Sequence, residues 1–184
     1  MFSKIQQTKL NALSAKNLHR KGKWKYDFLN GSILFLTIIV PLLFIIAQYI
    51  SKGTNIENII NIISFILSIF LICIAALSLM LKVNDKITTH KVGIKNNLYV
   101  SNECDNLLSL SETELQWFFR YVTEIDQQDN DTFARICEKT RRKMYREALK
   151  EFSPGDYSIT CPLCDSSPWK YKKGDCQLCG NTKK

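Results

Sequence analysis

Two stretches constrain this chain more than any other feature: SILFLTIIVPLLFIIAQYI at residues 32–50 and IINIISFILSIFLICIAALSLML at residues 59–81. Between Ile33 and Ala47 the only polar side chain is Thr37, and the second block carries no charge. A helix rises about 1.5 Å per residue, so Leu29 to Tyr49 already covers a hydrocarbon core of about 30 Å. A soluble bundle would need a second apolar layer to cover both helices, and the rest of the chain is patterned with charge. The expectation is two membrane-spanning helices, residues 29–50 and 59–81. They are joined by a short outer loop, residues 51–58, reading SKGTNIEN. Pro41 and Gln48 interrupt the first block, its polar leader is long and no small-residue cleavage site follows. It reads as a retained span, not a signal peptide.

Charge orients the hairpin. Seven basic residues precede the first span (Lys4, Lys9, Lys16, Arg20, Lys21, Lys23 and Lys25), against the single acid Asp27. Only Lys52 lies in the loop, and Lys82, Lys86, Lys91 and Lys95 follow the second span. Basic flanks stay in the cytoplasm, which puts both termini on that side of a cell membrane. The basic leader, residues 1–28, reads as an amphipathic helix facing an anionic lipid surface, with Arg20, Lys21, Lys23, Trp24 and Lys25 at the headgroups.

In the second block Asn61, Ser64, Ser68, Ala75 and Ser78 recur at steps of three, four or seven and form one small and polar stripe. Two uses of the stripe stay open: packing the hairpin against itself, or joining copies into an oligomer that lines a lesion.

Past the membrane, residues 82–152 read as cytoplasmic helices. The second span should run on as helix to about Leu98, with Gly93 its weak point. SETE, at 111–114, matches a capping box and should start another helix. A further helical run from Asp131 puts Phe133, Ile136, Cys137, Met144, Ala148 and Leu149 on one side, with Cys137 in the core. KTRRKMYR on the opposite side reads as a solvated face more readily than as a nucleic-acid contact.

SPGD ends the helices, and residues 153–184 carry Cys161, Cys164, Cys176 and Cys179 in two C-x-x-C pairs. Each pair can aim two sulfurs at one point, and two pairs complete a tetrahedral site. Zinc is the expected ion, with two disulfides or an iron centre as the alternatives. Four protein thiolates leave no open position for substrate, so the ribbon is structural, and metal binding drives the folding of so short a segment. Pro162 and Gly180 shape the knuckles. Trp169 and Tyr171 either cover the metal or make contacts. His19 and His90 have no carboxylate at useful spacing, and no phosphate loop, nucleophile elbow or metalloprotease motif is present, so no enzyme is expected.

The order of elements over residues 4–152 resembles the SLATT group of two-span proteins associated with bacterial nucleotide-signalling and retron defence systems. The tail looks like the mobilome proteins with a CxxCx(11)CxxC signature, with Cys161, Cys164, Cys176 and Cys179 at the four ligand positions. The first resemblance implies an all-α inner-membrane effector that permeabilises the membrane of an infected cell in abortive infection. Such an effector would be a homo-oligomer controlled by a cytoplasmic sensor or regulator, a retron or nucleotide-signalling complex. The alternative expectation is a membrane-tethered zinc-ribbon adaptor that recruits protein or nucleic acid and forms no pore.

Overall fold

A computed structural model describes residues 3–111 and 113–183; residues 1, 2, 112 and 184, among them one glutamate of the SETE box, lie outside that description. The described residues form five α-helices and no strand: α1 Lys4–Ser51, α2 Glu57–Met80, α3 Val83–Asn106, α4 Gln116–Phe133 and α5 Glu138–Phe152. They divide into two units, Lys23–Thr88 and the pair Met1–Gly22 with Thr89–Lys184.

The first unit holds the apolar stretch of α1 and all of α2, and both helices are long and apolar enough to cross a membrane. α1 runs unbroken through Pro41. The loop is shorter than the sequence predicts, because Ser51 still belongs to α1 and Glu57 already to α2. Gly53 N–H donates to the Glu57 carboxylate at 2.8 Å, and Thr54 N–H to Ser51 O at 2.9 Å, which closes the turn in five residues.

Burial along the hairpin follows one seam. On α1 the partly covered residues include Ile33, Thr37, Val40, Phe44 and Ala47; on α2 they are Glu57, Ile60, Leu71, Ile74, Ala75 and Ser78, around the buried Ser64. Steps of three and four mark coiled-coil-like packing. The rest of the apolar surface is open, with Phe35 at 61%, Phe65 at 67% and Ile72 at 68% exposed.

The expected continuation of α2 to residue 98 is corrected. The last turn tightens, with Lys82 N–H donating to Leu79 O at 3.0 Å. Lys82 then takes a left-handed conformation, φ 49°, which interrupts the ladder before α3 begins.

The second unit is a helical bundle carrying the cysteine ribbon, and residues 4–22 of α1 lie at its centre. Ile5 and Ala12 pack with Val100, Cys104, Leu115, Phe118 and Ile125 of the α3 and α4 region. Leu10 and Leu13 pack with Tyr145, Ala148, Leu149 and the ribbon cysteines. Leu18 packs with Phe133 and Met144. Residues 4–22 of the basic leader are therefore a core helix of this unit, and several of its cations have partners on the bundle. Lys9 pairs with Asp105 at 2.7 Å, Lys16 with Glu151 at 2.6 Å, and Lys4 stands 4.2 Å from the Phe119 ring centre.

Two further expectations are corrected here. Half of the SETE box forms, with Ser111 N–H donating to the Glu114 carboxylate at 2.9 Å; the Ser111 hydroxyl donates to the same carboxylate at 2.6 Å instead of accepting a helix amide, and α4 starts only at Gln116. The run from Asp131 is two helices, because the chain turns between Phe133 and Glu138 and Cys137 is extended there. Cys137 is exposed, not core, and hydrogen bonding from the Thr140 hydroxyl lowers its thiol pKa. The buried Cys104 is the contrasting case: burial pushes its thiol up to about 12, which leaves it inert.

Candidate metal centre

The two C-x-x-C segments fold into knuckles with the same backbone bonds. In the first, Asp165 N–H donates to Cys161 O at 2.9 Å and Cys161 N–H to Ser166 O at 3.0 Å. In the second, Gly180 N–H donates to Cys176 O at 2.8 Å and Cys176 N–H to Asn181 O at 3.2 Å. Each knuckle closes on a left-handed residue directly after its second cysteine, Asp165 at φ 53° and Gly180 at φ 68°. Aspartate tolerates that region better than most residues, because its short side chain bonds locally. A single bridge, Lys173 with Asn181, ties the loop between the knuckles to the residue that follows Gly180.

These turns bring four free thiols together. The Cys161 and Cys176 sulfurs are 3.8 Å apart, those of Cys164 and Cys179 are 3.4 Å apart, and all four lie within 4.8 Å of one another. A tetrahedral ion with metal–sulfur bonds of about 2.3 Å sets its sulfurs about 3.8 Å apart. The cluster is compatible with a metal site. Burial pushes the Cys161 thiol up to about 11, whereas at Cys176 burial is outweighed by hydrogen bonds from Cys179 and Leu178, which bring it to about 7.

The cage is part of the bundle core. Cys161, Cys164 and Cys179 are buried against Leu10, Leu13, Ala148 and Leu149. Arg146 donates to the Cys179 carbonyl and its guanidinium lies 3.9 Å from the Tyr171 ring centre, while Lys150 lies 5.3 Å from that of Trp169. Within KTRRKMYR, then, Arg146 is tied to the ribbon, Arg141 to Phe133 O at 2.8 Å and Arg142 to Glu138 at 3.0 Å.

The structure also assembles a polar cluster that the sequence reading missed. His19 Nε2 lies 2.8 Å from Asp129 Oδ1, and His19 Nδ1 lies 2.9 Å from His90 Nδ1. Asn97 Nδ2 donates to Asp129 Oδ2 at 2.7 Å and to Gly93 O at 3.0 Å. His19 is 1% exposed, and the other three are buried with it. The carboxylate can only accept, so His19 Nε2–H donates to it; a neutral His19 then accepts at Nδ1 from His90 Nδ1–H. Two glycines make room for the rings. A Cβ on Gly93 would collide with the His19 ring, and one on Gly22 with that of His90. The expectation that the histidines lack a carboxylate partner is corrected. The sequence signal was present only as Gly22 and Gly93, of which Gly93 reads as the weak point of its helix.

The remaining predicted residues are distributed as follows. Ser64, Ala75 and Ser78 lie in the hairpin seam, whereas Asn61 and Ser68 flank it and are exposed. Gln48 donates to Asn61 Oδ1 at 3.4 Å, and the Ser68 hydroxyl to Ser64 O at 2.8 Å. Arg20 is within 3.9 Å of Glu151, Lys21 donates to Thr140 at 3.3 Å, and Lys23 pairs with Asp27. Trp24 and Lys25 are exposed, with Trp24 stacked 6.0 Å from Phe28.

The chain belongs to the family described as Mobilome CxxCx(11)CxxC protein, whose model matches residues 3–182. The match takes in all five helices as well as the cysteine tail, more than the tail resemblance covered. No curated protein and no solved structure matches the chain.

Proposed function

We propose that this protein is a membrane-permeabilising effector of a bacterial antiphage, abortive-infection system. In this reading the hairpin of α1 and α2 spans the inner membrane with both termini in the cytoplasm, as the basic flanks direct. A cytoplasmic regulator holds the protein inactive, and release lets copies oligomerise through the hairpin. The defence role itself comes from the resemblance to the SLATT group. Zinc is the proposed ion of the four-cysteine cage, where it would serve as a structural staple with no open coordination position.

One observation carries the reading: polar Asn61 and Ser68 stand exposed beside the seam of a helix that is otherwise apolar and open. Gln48 reaches Asn61 Oδ1 at 3.4 Å; the Asn61 amide N–H groups remain costly in hydrocarbon until they find acceptors, and a second hairpin or a water-filled path supplies them. Changing both Asn61 and Ser68 to leucine should therefore leave the hairpin folded and abolish dye leakage from liposomes reconstituted with the protein. Leakage undiminished in the double variant, or no leakage from the unaltered protein, contradicts the proposal.

A second reading, a membrane-tethered adaptor that recruits protein or nucleic acid, is favoured by the exposed aromatic and basic groups on the ribbon, Tyr157, Trp169, Lys170 and Lys172. Leakage separates it from the first.

A further inference from the structure

The ribbon carries a groove of about 650 Å³, walled by Tyr157, Trp169, Lys170, Lys172 and Lys183. We propose that this groove binds single-stranded nucleic acid, its aromatic rings stacking on bases and its lysines contacting the phosphates. The inference deepens the adaptor reading, and it holds whether or not the hairpin permeabilises membranes.

Three features support it. The Tyr157 and Trp169 rings lie 5.0 Å apart, tilted by 47°, and remain 73% and 41% exposed. Exposed rings in a recess are available to a base, since every base has a π-face to stack. Three lysines line the groove against the single carboxylate of Asp165. Lys150 and the Arg146–Tyr171 pair extend the same chemistry along α5. Finally, the floor is fixed before any ligand arrives. Asn181, 2% exposed, accepts from Lys172 N–H at 2.7 Å and donates to Ser167 O at 3.2 Å and Lys170 O at 3.1 Å. An acidic peptide would use the cations and leave the rings without a role. A lipid surface can engage both, and the vesicle arm of the test below separates it from nucleic acid.

The test uses the full chain in detergent with fluorescent oligo-dT and oligo-U of about ten nucleotides, the span of a typical single-strand site. Anisotropy should report binding that weakens steeply between about 50 and about 200 mM salt. Trp169→Ala, and separately Lys170→Ala with Lys172→Ala, should each weaken it about tenfold or more, while Trp169→Phe retains most of the affinity. Equal metal content in all variants shows that the ribbon still folds. In a Trp24→Phe, Trp117→Phe background the oligonucleotide should quench the fluorescence of Trp169. Absence of binding, binding unmoved by Trp169→Ala, or tighter capture of an acidic peptide or of phosphatidylglycerol vesicles overturns the proposal. Liposome leakage by the same preparation reports on the effector reading separately.

Discussion

The two units solve the problem of burial in opposite ways. In the bundle with the ribbon, large side chains such as Leu10, Phe118, Leu115 and Leu149 are almost wholly covered, and so are the polar His19, Asn97 and Asp129, each with a partner. In Lys23–Thr88, Val83 and Ile87 of α3 are covered, but the large apolar side chains of the α1–α2 hairpin lie mostly outside, and the buried residue of α2 is a serine. Water opposes exposed apolar surface at roughly 25 cal/mol per Å², and soluble monomers rarely present contiguous patches beyond a few hundred Å². The contrast teaches that the bundle covers its own apolar side chains, whereas the hairpin leaves most of its own open. Lipid, or lipid with sister hairpins, is the cover proposed here.

Perturbations should therefore be severe in the bundle and mild in the hairpin. The largest effect is expected from the cage. Metal removal by a chelator, or Cys176→Ser, should unfold the ribbon and uncover Leu10 and Leu149, a loss on the order of 5 kcal/mol or more, read by thermal denaturation in detergent. An unchanged melting curve would mean that the four thiols do not hold a stabilising ion. Next is Asp129→Ala, which leaves the buried His19 Nε2–H without an acceptor and Asn97 with Gly93 O alone, and should cost about 2–3 kcal/mol.

A matched pair of glycine substitutions sharpens the comparison. Gly93→Ala drives a methyl into the His19 ring and should cost about 1–3 kcal/mol. Gly31→Ala, in the hairpin, meets nothing within 4 Å and should be neutral or stabilising by up to about 1 kcal/mol from helix propensity alone. Equal effects at the two sites would erase the distinction between the units.

The smallest effect is a pH dependence. Burial lowers the pKa of His90 below its ordinary 6.5, His19 lowers it further, and Asp129 pulls it partly back. A group with a depressed folded pKa takes up its proton more readily when unfolded. The stability tied to neutral His90 is thus present above pH 6.5 and is lost as pH falls through the folded value. The melting temperature should drop as pH falls from about 7.5 to about 5.5, and it should drop less in His90→Gln. The difference between the two proteins removes any contribution from protonation of the cage.

What the sequence made legible was local. C-x-x-C spacing specifies a cage because each pair acts within one turn, and a run such as Ile59 to Leu81 declares its helix by composition. The groups that stabilise the bundle come from far apart: His19 and Asp129 are separated by 110 positions, and only packing of α1 against α4 makes them neighbours. Helix ends were missed for a related reason. Lys82 in a left-handed turn and the extended Cys137 carry no glycine or proline to announce them. Asp165 occupies in the first knuckle the position that Gly180 holds in the second, and an aspartate gives no such notice.

The central claim is that the surface of α1 and α2 open in Lys23–Thr88 is covered by lipid. Alkaline carbonate extraction of membranes from cells producing the full chain tests it most directly. The protein should stay in the pellet and enter solution only with detergent, with Cys73 in α2 shielded from a membrane-impermeant thiol reagent that labels Cys137 in opened vesicles. Recovery as a monodisperse protein in the carbonate supernatant, with Cys73 as reactive as Cys137, would contradict it.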